Sequence, residues 1–68
     1  MHVDELTDFS PLFHQLNNQL CVVLANAELL ELKATDEKSR SRAAQIVAGV
    51  IEALGTVREI RSTLKTPE

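Results

Sequence analysis

The sequence predicts an all-α fold, a two-helix antiparallel hairpin that dimerises into a four-helix bundle, and three observations predict it. Phe13, Leu16, Leu20, Val23, Ala27, Leu30 and Ala34 recur at alternating steps of three and four, the spacing of a coiled-coil seam. Ile46, Val50, Ala53, Val57, Ile60 and Leu64 repeat that spacing in the second half. Between them the residues Ala34-Thr35-Asp36-Glu37-Lys38-Ser39 form the one convincing loop, and so short a connection makes the flanking helices antiparallel neighbours.

The chain divides into a lead-in over residues 1–10 and a helical hairpin over residues 11–66. Over residues 1–10, Val3, Leu6 and Phe9 fall on one side of a short helix or lead-in segment. Ser10-Pro11 is a start signal. Serine suits the N-cap, and proline suits the first helical position, where its missing N–H costs nothing. Pro11 alternatively kinks a longer helix that begins near Val3. The first helix is expected over about residues 11–33. Beside its seam run Leu12 and Leu24, and a second row of Val22, Ala25, Leu29 and Leu32 faces another way. A helix apolar over half its circumference needs more than one neighbour.

Thr35 or Asp36 caps the second helix, with acidic residues in its first turn where the macrodipole favours them. That helix should start at 36 or 37 and run to about 64, and Pro67 ends it. Val47, Ile51 and Leu54 widen its stripe. Gly49 and Gly55 each cost roughly 1 kcal/mol against alanine, and their small size would permit close approach of a partner helix. Two such helices leave apolar surface that one hairpin cannot hide, so a homodimer is expected.

Composition narrows the functional classes. Sixty-eight residues make one small domain, too small for a large core without a disulfide, a metal or self-association. The single cysteine, Cys21, excludes an intrachain disulfide, and with the two distant histidines it has no zinc spacing, so no metal site is expected. A net charge of −3 gives no electrostatic case for nucleic acid. The apolar run over residues 20–25 is too short to cross a bilayer, and Asp4 and Glu5 stand where a signal peptide would be basic. A cytoplasmic helical module without membrane insertion is the expectation.

His14 is the candidate chemical residue. It falls one position after the seam, at the edge of the packed face. Asn18 and Cys21 follow it at i+4 and i+7 on one helical face, and Gln15, Asn17 and Asn18 surround it with amides. Taken alone, a surface histidine on a helix is the commoner case. The other polar features have plain readings too: Cys21 as a small packing residue, His2 as a terminal residue, and Lys38-Ser39-Arg40-Ser41-Arg42 as a solvated turn. With the turn at Thr35–Asp36, His14 falls level with Val57, and Arg58 and Arg61 come near its layer, either as phosphoryl contacts or as a solvated face beside Glu59.

The string His14-Gln15-Leu16-Asn17-Asn18-Gln19-Leu20, continued by Val22-Val23-Leu24-Ala25-Asn26-Ala27-Glu28-Leu29-Leu30, resembles the H-box helix of two-component sensor histidine kinases. It is most similar to the subgroup whose motif reads His-Asp-x-Asn-Asn-x-Leu. The second helix, from Ala43-Ala44-Gln45-Ile46-Val47 through Arg61, is similar to the second helix of the same dimerisation and histidine-phosphotransfer domain.

The resemblance covers roughly residues 9–65. It implies a four-helix dimer with His14 as phosphoacceptor, a response-regulator receiver domain as partner, and Asn18 at the position that orients water when such proteins act as phosphatases. It further implies a kinase ATP-binding domain, in cis or in trans, as the source of the phosphoryl group. No cofactor is expected in this chain, because ATP and Mg enter only through that separate domain, which these residues do not supply. The chain is therefore not a kinase by itself. Gln15 departs from the pattern. An acidic residue there accepts a hydrogen bond from the imidazole and raises its nucleophilicity, whereas the Gln15 carbonyl accepts without charge. That departure favours the alternative, a non-catalytic dimeric adaptor or regulatory module derived from the same domain.

Overall fold

The computed structural model describes residues 9–65, which form two helices and one short connection. Helix α1 spans Ser10–Lys33 and helix α2 spans Glu37–Lys65, and they pack against each other along their length. The expected lead-in helix over residues 1–8 and the stop at Pro67 lie outside the described residues.

Phe9 precedes α1 with φ −95° and ψ 7°, and its carbonyl accepts the first turn's bond from the Phe13 N–H at 2.9 Å. Ser10 therefore lies inside the first turn, not at the cap, and Pro11 sits within the first two helical positions where no N–H is needed. At the other end the Ala34 N–H donates to the Leu30 carbonyl at 2.9 Å, and Ala34 then turns extended, with ψ 132°. Lys33 places a cation in the last turn, where the helix dipole favours it.

Asp36 starts α2. Its Oδ2 accepts the Ser39 N–H at 3.0 Å, and its carbonyl accepts the Arg40 N–H at 3.1 Å. Glu37 adds a carboxylate to the first turn. Arg40 reaches back over the connection to donate to the Ala34 carbonyl at 3.1 Å, tying the end of α1 to the start of α2. Its ion pair with Glu37, at 4.0 Å and solvent-exposed, contributes little. The loop is thus closed by capping groups and needs no glycine.

The interface between the helices is narrow. Only Ala27, Ala43, Val50 and Val57 are buried among the described residues, and no large side chain is fully covered. The row of α1 facing α2 consists of Phe13, Asn17, Leu20, Leu24, Ala27, Glu31 and Ala34. The expected seam therefore divides. Phe13, Leu20, Ala27 and Ala34 face α2, while Leu16, Val23 and Leu30 do not. On α2 the same division sets Val50, Ala53 and Val57 inward and leaves Ile46, Ile60 and Leu64 exposed.

Gly49 and Gly55 are both exposed, and a Cβ added at either would meet nothing within 4 Å. They do not bring α1 and α2 together. The described residues form a single layer of two helices.

Two predictions follow from these local features. Gly55→Ala should raise stability by about 1 kcal/mol, read from chemical denaturation, because helix propensity improves and no neighbour is displaced. The Ser39 backbone N–H, and next the Ser39 hydroxyl, hold the Asp36 carboxyl below its ordinary value, with attraction from Arg40 in the same direction. A lowered folded pKa means the cap's contribution is fully present above the ordinary carboxylate value. It is lost as pH falls through the folded value. Asp36→Ala should lower the melting temperature at neutral pH and lose that difference in strong acid, whereas Asp36→Asn should keep most of the cap.

Candidate functional site

Helix α1 carries His14, Gln15 and Asn18 in its first three turns, and all three side chains are exposed. A helical turn of 3.6 residues sets Asn18 directly after His14 on the same face. Cys21 continues that face as an exposed free thiol. The exposed leucines nearest in sequence, Leu12 and Leu16, lie two residues to either side of His14, each about 160° round the helix from it. The histidine and the bare part of the apolar seam thus occupy opposite sides of α1.

Among the described residues His14 makes no side-chain hydrogen bond and no ion pair. Gln15 does not engage the imidazole, so the position that the family pattern gives to an acidic residue supplies neither charge nor a hydrogen bond here. The imidazole is open to solvent and to an incoming group. Asn18 is likewise uncommitted, in contrast with Asn26, whose Nδ2 donates to the Val22 carbonyl at 2.9 Å.

Helix α2 meets this end of α1 through Arg61. Its guanidinium lies over the Phe13 ring, 6.0 Å from the centroid, one residue before His14. Phe9 stacks edge-on against Phe13, with centroids 6.4 Å apart and planes at 82°. Arg61 is thereby held at the layer of the histidine, while Arg58 is exposed and Val57, expected level with His14, is buried in the helix interface. Sequence reasoning placed Arg61 near the site but missed its ring partner and the Phe9–Phe13 pair. The i, i+4 spacing of the two phenylalanines was the readable signal.

Phe9, Leu12, Phe13, Leu16 and Leu64 line a shallow apolar concavity at the same end. Among the described residues no group of three or more His, Cys, Asp or Glu side chains is arranged to hold a metal. No described helix is long and apolar enough to cross a membrane. Comparison of the chain with protein-family models, with characterised proteins and with solved structures returned no match.

The Arg61–Phe13 contact is measurable by itself. Arg61→Ala should cost about 0.5–1 kcal/mol in chemical denaturation, the range for a partly exposed cation over a ring. Arg61→Lys should recover part of that. The Cys21 thiol should react with a chromogenic disulfide reagent in the native protein as fast as in the denatured one.

Proposed function

We propose that this chain is the phosphoacceptor and dimerisation domain of a two-component signalling histidine kinase. His14 receives a phosphoryl group and passes it to an aspartate of a response-regulator receiver domain. The observation that carries the reading is an uncommitted, solvent-exposed His14, one helical turn before an uncommitted Asn18, within a motif that resembles the H-box.

The chemistry asks little beyond exposure. A neutral ring nitrogen of His14 attacks the phosphorus of a donor held by a separate ATP-binding domain. The nitrogen–phosphorus bond forms as the phosphorus–oxygen bond to the leaving nucleotide breaks. A receiver carboxylate oxygen then attacks the same phosphorus, and the labile nitrogen–phosphorus bond breaks to return the imidazole. Asn18, on the same face, orients water where the phosphoryl group on the regulator is hydrolysed. ATP and Mg belong to the donor domain, and the reading puts the hairpin in the cytoplasm.

Gln15 favours a second reading, a dimeric adaptor or regulatory module that keeps the hairpin and takes no phosphate. The two are separated by treating the purified protein and a His14→Ala variant with a small phosphoramidate donor. Under the first reading, intact mass detects an acid-labile phosphate on the wild type alone, and the group moves to an added receiver domain. Equal labelling of both proteins, or none, leaves the adaptor. Gln15→Glu should increase phosphorylation by a supplied ATP-binding domain if charge at this position is what the chain lacks.

A further inference from the structure

Arg58 and Arg61 carry positive charge with no carboxylate to meet it. Among the described residues neither makes an ion pair or a side-chain hydrogen bond. Arg40, by contrast, is engaged at the turn by Glu37 and the Ala34 carbonyl. Arg42 is also unpaired but exposed, whereas Arg61 is half-buried and fixed over the Phe13 ring.

Helical periodicity decides which flank each residue takes. On α1, measured round from the buried Ala27, Leu12 and Leu16 fall to one side by about 60° and 20°. Phe13 and His14 fall to the other side by about 40° and 140°. On α2, measured from the buried Val57, Leu64 falls to one side by about 20°, and Arg61 and Arg58 to the other by about 40° and 100°. Leu12, Leu16 and Leu64 line one concavity, so they mark one flank of the hairpin. His14, Arg58 and Arg61 share the opposite flank, and the contact of Arg61 with Phe13 joins the helices there.

No carboxylate among the described residues competes at this end. Glu52 and Glu59 lie about 140° and 160° round from Val57, on the outer side of α2. The first turn of α1 has no acidic residue, and Glu28 is about 21 Å along the helix from His14.

A guanidinium stacked on a ring keeps its N–H edges free, and those edges match the oxygens of a phosphoryl group. We infer that Arg61, steadied over Phe13, binds the oxygens of the phosphoryl group transferred at His14, with Arg58 adding a second positive charge on the same flank. The inference rests on the phosphoacceptor reading and names the group that offsets the transferred charge. With phosphoramidate as donor, the ring nitrogen–phosphorus bond forms as the donor's phosphorus–nitrogen bond breaks. The leaving ammonia carries off the proton of the other ring nitrogen as ammonium. Arg61 gives up no proton in this step, because its guanidinium stays charged throughout.

The test is the rate at which phosphoramidate labels His14 in the full chain, read by intact mass. Arg61→Gln should slow labelling roughly tenfold, the effect of losing one charge-assisted hydrogen bond. Arg61→Lys, which keeps the charge and loses the fork, should fall between. Arg58→Gln has no ring contact to lose and should slow labelling by a smaller factor, while Arg42→Gln, the same charge change at the turn, should leave the rate unchanged. Because Arg61→Gln also loses a packing contact, binding is read separately. Inorganic phosphate titrated into the wild type should shift the His14 ring-proton resonances, and Arg61→Gln and Arg58→Gln should each weaken that binding. Label on the wild type and on both arginine variants at one rate overturns the inference and leaves the phosphoacceptor reading standing. Slowing by Arg42→Gln equal to that by Arg61→Gln overturns it too, as does wild-type phosphate binding in both arginine variants. No label on the wild type overturns both readings together.

Discussion

The contact between α1 and α2 constrains everything else in this molecule, and it is thin. Two alanines and two valines are its buried members, so the hairpin has close approach along a line and no volume of core. Small side chains let the helices run side by side, but they remove little apolar surface from water. A single layer of two helices has no interior in which to place larger residues. The leucines and isoleucines that would normally supply a core therefore lie on its surface.

The connection compensates locally. Three residues reverse the chain without a glycine, because each end is satisfied by a named group: Leu30 accepts from Ala34, Asp36 accepts from Ser39, and Arg40 bridges back to Ala34. These bonds set where each helix stops and starts. They also set the register in which Phe13 comes under Arg61. The histidine's neighbourhood at the far end of the hairpin is in this sense decided at the turn.

Much of this was legible from residue order. The end of α1 at Lys33, the Asp36 cap and the start of α2 at Glu37 all follow from short-range chemistry, which is written in adjacent residues. The placement of His14 and Asn18 on one exposed helical face follows from spacing alone. What spacing left open is which half of a seam a neighbour covers, since Phe13 and Leu16 are equivalent positions in a heptad and only three-dimensional packing separates them. The Arg61–Phe13 contact was hidden for a related reason. A long, flexible arginine reaches more than one layer, and periodicity does not say which. Ser10 entered the helix because Phe9 already adopts a backbone able to offer its carbonyl to the first turn, a detail of one dihedral pair.

The three-residue turn has a kinetic consequence. Contacts beside the turn, such as Arg40 to Ala34, close a short loop at small entropic cost, and those farther along, out to Arg61 over Phe13, can form by zipping away from it. Helix formation and loop closure of this kind run on microsecond timescales. The hairpin therefore closes without a distant segment having to be found, and its two helices meet in about the time that they take to form.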